Sequence, residues 1–188
     1  MNLTLRPPAS SISLLKIALV CAATFAALSL PALADGASAL PPGPKEALAE
    51  QVGGDADALG VLLGQTNSVE AWQAQLQGDA APAVIAALGD YLARIAPIVV
   101  VGDVGSVIAT LPADGKQLFV ENCLSCHGGD TYFLKQDKDF EGWVAIFDAP
   151  YHRRLLTGEG EREIFAGYAA ATTPLSLDPV PEALADRP

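Results

Sequence analysis

Cys123-Leu124-Ser125-Cys126-His127 is the stretch that most limits what this chain can become. Two thiols three residues apart, with an imidazole directly after the second, form the C-x-x-C-H pattern by which a c-type haem is attached. On a helix, positions three and four apart share a face. Cys123 and Cys126 can then form thioethers to the two vinyl groups of one porphyrin, and His127 can place an imidazole nitrogen on the iron as proximal ligand. A C-x-x-C pair also occurs in redox disulfides and as half of a zinc site. A structural zinc site wants two further ligands, and beyond residue 34 the chain holds no other Cys and one other His, His152. A thioredoxin-type disulfide wants a βαβ setting, which the sequence does not offer. Haem attachment is the reading that uses all three residues.

The N-terminus points the same way. Arg6 and Lys16 precede an apolar run from Ile17 to Leu30, and Pro31-Ala32-Leu33-Ala34 closes it with an A-x-A site. This is the layout of a cleaved export signal over residues 1–34. The apolar run is shorter than a membrane span needs, which disfavours an uncleaved anchor. Bulky Val20 before Cys21 disfavours a lipoprotein site, so Cys21 is expected to leave with the signal. The mature part, residues 35–188, keeps nine basic residues against all 22 acidic ones, a formal charge of −13. That sign disfavours nucleic acid. It suits a redox partner protein with a basic docking face, met by electrostatic steering. No second apolar stretch is long enough to cross a membrane.

Comparing the chain with itself shows a repeat. Offset by 71 residues, Leu40-Pro41 falls on Leu111-Pro112, Lys45 on Lys116, Glu50 on Glu121, Leu63 on Leu134 and Gln65 on Gln136. Glu70, Trp72 and Ala74 fall on Glu141, Trp143 and Ala145. For a chain this rich in Ala and Leu, about three such identities are expected by chance. The register then slips by six residues, and Leu88, Tyr91 and Pro97 meet Phe165, Tyr168 and Pro174. In the first copy Val52, Asp55 and Ala56 stand where the second has Cys123, Cys126 and His127, so that copy can neither tether nor ligate a haem.

Helical spacing dominates both copies. Val84, Ile85, Leu88, Tyr91 and Leu92 make one apolar stripe, behind Pro82 in a first turn with Asp79 as a cap. Ile98-Val99-Val100-Val101 reads as a buried connector, and Gly102-Asp103-Val104-Gly105 as a turn. The expected organisation is all-α: a signal peptide at 1–34, a haem-free helical module at 35–97, a linker at 98–110 and a haem domain at 111–188.

Residues 112–174 resemble a class I cytochrome c. That family crosses an N-terminal helix, carrying Gly and an aromatic four residues on, with a C-terminal helix carrying an aromatic pair. Gly115 and Phe119 match the first, with Asp114 or Ala113 at the cap, and Phe165 and Tyr168 match the second, on a helix starting near Gly158-Glu159. The resemblance implies an all-α haem fold, single-electron transfer, covalent haem c and, in bacteria, assembly in the periplasm. Two departures stand out. Gly128-Gly129-Asp130 replace the Pro that commonly follows the motif, which leaves the acceptor for His127 open. The sole Met is Met1, so no Met remains to face the iron once the signal is cut.

His152, 25 residues after His127 and downstream of Trp143, falls near where such cytochromes place the distal ligand, in or next to the six-residue slip. Lys135, Lys138, Tyr132 and Tyr151 are the other donors, and a vacant position is the remaining possibility. A His/His pair sets a lower potential than a His/Met pair, and an open position binds small ligands. Arg153 and Arg154 either pair with haem propionates or lie in solvent, and Trp143 either serves the haem or is structural. The expected function is single-electron transfer in the periplasm, as a shuttle or as the cytochrome subunit of an oxidoreductase. The alternative is a haem enzyme or gas-binding sensor with an open distal site.

Overall fold

Local signals start most helices. In the computed structural model, which describes residues 36–76 and 78–187, no strand occurs among the described residues. The expected signal segment lies outside them. Helix α1 (Pro44–Val52) begins with Pro at its first position, where the missing N–H costs nothing, and stops at Gly53 in the left-handed region, φ +56°. Asp55 caps α2 (Ala56–Leu63), Ser68 caps α3 (Val69–Gln75), and α4 (Pro82–Ile95) again opens on Pro. Asp103 caps α5 (Val104–Thr110). Asp114 and Gln117 form a capping box on α6 (Gly115–Leu118), which widens into a π-helical turn, Phe119–Cys123. A second π turn spans Asp130–Leu134. Asp139 caps α7 (Phe140–Val144), which tightens into a 3₁₀ turn, Ala145–Asp148. The 3₁₀ turn His152–Arg154, helix α8 (Glu161–Thr172) and the 3₁₀ turn Glu182–Leu184 complete the chain. Each such cap contributes about 1 kcal/mol, so part of the acidic excess is helix-starting chemistry.

Two cores form. Leu48, Leu59, Leu63, Trp72, Leu88 and Leu92 anchor the first; Phe119, Phe133, Trp143, Phe165 and Tyr168 anchor the second. The helices keep the sequence offset: α1 and α6 start 71 residues apart, as do α3 and α7. The contacts between the halves are reciprocal. Leu40 packs in the second core and Leu111 in the first. Tyr91 donates its hydroxyl proton to the Pro112 carbonyl (2.6 Å), and Tyr168 donates to the Pro41 carbonyl (2.9 Å). Ile98 N–H bonds the Leu63 carbonyl just as Leu175 N–H bonds that of Leu134, both at 2.7 Å. The most extensive helix pairing is α4 against α8. Burial, helped by the Asp114 charge, pushes both tyrosine hydroxyls far above their ordinary range, so they remain donors.

Four local expectations change. The connector is only half buried: Val99 and Val101 are 87% and 85% exposed, because an extended chain turns alternate residues outward. Only Ile98 and Val100 pack on the first core. The turn expected at residues 102–105 is instead the start of a capped helix, Val104–Thr110. Asp79 is exposed and does not cap α4, whose N-cap is Ala81. The last helix starts at Glu161, since Gly160 sits at φ +72° and blocks an earlier start; Glu161 and Glu163, without Glu159, occupy its first turn.

Candidate functional site

Helix α6 and its π turn carry Phe119 and Cys123 to the wall of a cavity of about 520 Å³. Helix α7 adds Trp143, and α8 adds Phe165. Cys126, His127 and His152 line the same cavity. It is walled largely by aromatic rings, as a flat apolar ligand requires, and its volume lies within the range of ordinary cofactor pockets. The motif itself is not on a regular helix. Cys123 ends the π turn, and Cys126 N–H closes a tight turn on the Cys123 carbonyl at 3.2 Å.

Each imidazole has one nitrogen committed. His127 Nδ1 lies 2.8 Å from the Gly128 carbonyl, and His152 Nδ1 lies 3.1 Å from the Ile146 carbonyl. A carbonyl only accepts, so both Nδ1 atoms carry a proton, and in the neutral rings the lone pair then lies on Nε2. That is the tautomer a metal-ligating imidazole needs, fixed from its other nitrogen. The Gly128 carbonyl is thus the acceptor for His127 that the sequence left open. Of the other donors, Lys138, Tyr132 and Tyr151 also line the cavity, but Lys135 does not; it pairs with Asp130 at 2.9 Å. Tyr132 packs beside His127, ring centroids 4.4 Å apart. Arg153 and Arg154 are exposed, and Arg153 Nε donates to the Asp148 carbonyl.

Both cysteines are free. Burial pushes the Cys123 thiol up to about 12, with a smaller contribution from neighbouring Cys126. A thiol raised in this way is not an attacking thiolate. Among the described residues no group of three or more His, Cys, Asp or Glu side chains is placed to hold a metal ion. Trp143 Nε1–H is buried without a partner, but so is Trp72 Nε1–H in the half that lacks this cavity, so the orphaned donor does not by itself mark a ligand. In haem-free protein, iodoacetamide should alkylate exposed Cys126 well before Cys123, which resists until the pH approaches 12 or the chain unfolds. Equal rates by mass spectrometry would show the buried environment of Cys123 to be wrong.

Sequence reasoning missed the C-terminal segment. Leu184 is fully buried, and its carbonyl accepts from Gly129 N–H at 2.8 Å. Asp186 accepts from Thr131 N–H at 3.0 Å, and Arg187 donates to the Ser125 carbonyl at 3.1 Å. The tail thus clasps the loop that bears His127. The pattern Val180-Pro181-Glu182-Ala183-Leu184, an apolar pair flanking a Pro, was its one available signal. Comparison with family models, curated proteins and solved structures returned no match for this chain.

Proposed function

We propose that this chain is an exported c-type cytochrome that passes single electrons through one haem, tethered by Cys123 and Cys126 and ligated by His127 and His152. The observation that carries this reading is the shared cavity, in which both imidazoles have Nδ1–H tied to a backbone carbonyl and Nε2 free. The haem supplies the ferrous–ferric couple. The chain does the rest. Cys123 and Cys126 would hold the cofactor edge, His127 and His152 would ligate its iron, and the aromatic wall would exclude water. The reciprocal contacts and the matching helix offsets support a duplicated module whose first copy has lost its haem. The acidic surface suits a redox partner with a basic docking face, and the signal-type N-terminus suits the periplasm. No described helix is long and apolar enough to cross a membrane.

One observation favours a second reading, a haem protein with a displaceable distal ligand. His152 stands on a three-residue turn, not on a helix, and neighbouring Tyr151 is 92% exposed at the cavity. Low-temperature spin resonance of the ferric protein separates the two. Low-spin signals of a bis-imidazole pair, converted to high spin in His152→Ala, are the expected result. Rapid carbon monoxide capture by the ferrous wild type would favour the second reading, and an unchanged spectrum in His152→Ala would remove His152 from the iron.

A further inference from the structure

We propose that Arg162 is the positioning residue that holds His152 at the iron; the inference rests on the axial assignment above. His152 has little support of its own. It sits in one 3₁₀ turn, too short to be stable alone. Its ring is held by one hydrogen bond, to the Ile146 carbonyl. The residues after it lead to Gly160 without regular structure.

Arg162 gathers that stretch. From the first turn of α8 its guanidinium donates to three consecutive-loop carbonyls: Nη2 to Arg153 at 2.7 Å, Nη2 to Leu155 at 3.2 Å and Nε to Leu156 at 3.1 Å. The guanidinium also lies over the Phe147 ring, 5.2 Å from its centroid, and Phe147 lines the cavity. One planar fork therefore joins the His152 loop, the cavity wall and a packed helix. Only a planar, five-donor cation can do this; an ammonium offers a point charge and cannot span the three acceptors at once.

Two further observations agree. Leu156 adopts φ +48°, a left-handed conformation that a branched side chain adopts only when its surroundings enforce it. The Arg162 bond to its carbonyl and its own burial at 6% exposure supply that enforcement. In the first half, Ile85 stands where Arg162 stands in the second, and Ala56 where His127 stands. The self-comparison also places six extra residues in the stretch before α8. The long loop, its histidine and the arginine that ties it down occur together, in the half that has the cysteines.

The test compares holoprotein of wild type, Arg162→Gln, Arg162→Lys and His152→Ala by ferric spin-state spectra, carbon monoxide capture in the ferrous state, and hydrogen exchange of residues 149–158. Arg162→Gln should give a mixed high- and low-spin ferric spectrum and faster exchange in the loop. Carbon monoxide capture should accelerate by about tenfold, the effect of a loss near 1.4 kcal/mol in ligand hold. Arg162→Lys should fall between it and wild type, and it decides the matter by the same comparison if the Gln variant does not fold. Wild-type spectra and capture rates in the Arg162 variants, alongside a high-spin His152→Ala, would overturn the role of Arg162 alone. An unchanged His152→Ala would instead overturn the axial assignment.

Discussion

Gly115→Ala should lower the stability of the protein by about 2 kcal/mol, the balance of two opposed effects. A Cβ at residue 115 would meet Tyr168 Cβ and lie 2.8 Å from the Ile164 carbonyl oxygen, both on α8. Neither is the far end of a flexible side chain, so α6 and α8 must move apart. Overpacking of that kind costs about 1–3 kcal/mol and sometimes more. Against it stands the gain of replacing Gly by Ala in a helix, about 1 kcal/mol at most. The steric cost wins because the clash involves backbone. For a chain of this size each kcal/mol moves the melting temperature by about 2–4 °C, so a drop of about 4–8 °C is expected in thermal melts. Gly105→Ala is the matched control: its Cβ meets nothing closer than Asp103 Oδ1 at 3.4 Å, so it should keep or raise the melting temperature. Separation of α6 from α8 also pulls Phe119 and Cys123 away from Phe165, so haem loading should fall with stability. A Gly115→Ala protein that melts with wild type would show that the helices do not cross so closely.

What the sequence made legible is what short-range chemistry encodes. Asp114 as a cap is readable from local chemistry, whereas the close approach of a helix at Gly115 and the burial of Phe165 and Tyr168 were expected from the resemblance to class I cytochromes c, not from spacing. The repeat was visible in the sequence too: paired Trp72 and Trp143 are both buried at matching positions. The features that escaped depend on backbone acceptors, which every residue has and no letter marks. The Gly128 and Ile146 carbonyls that orient the two imidazoles are of this kind, as are the three that Arg162 gathers. Nothing in the sequence sets Arg162 apart from its neighbours Glu161 and Glu163. The connector misled for a different reason. Four apolar residues in a row, 98–101, look buried throughout, yet an extended backbone can turn only alternate ones inward. The swap of Leu40 and Leu111 between the two cores is tertiary, and no local pattern announces it.

Gly128→Ala should release the C-terminal tail and unsettle His127 together. A Cβ at residue 128 would run into the Ala185 carbonyl and the Asp186 Cα, so tail and loop cannot both keep their places. The alternatives are unequal. The loop is fixed in sequence beside Cys126 and His127, whereas the tail is held by a few bonds: Gly129 N–H to Leu184, Thr131 N–H to Asp186, and Arg187 to Ser125. The tail should therefore give way, losing the burial of Leu184 and leaving residues near 176–187 open to protease. The loss should be about 2–3 kcal/mol, the scale of one exposed Leu together with a lost tail hydrogen bond. His127 feels the same change, because its Nδ1–H is bonded to the carbonyl of residue 128 itself. A shifted ferric low-spin signal should accompany the proteolysis. Acid should act in the same direction on wild type. The hydrogen bond from Thr131, and to a smaller degree the charge of Lys135, hold the Asp186 carboxyl below its ordinary range. A group depressed in this way supports the fold above the ordinary carboxylate range and loses that support as the pH falls through its lowered value. Tail cleavage by an acid-active protease should thus rise in wild type only at strongly acid pH, while Gly128→Ala should be cut at neutral pH. Equal resistance of the two proteins at neutral pH would mean that the tail does not lie against Gly128.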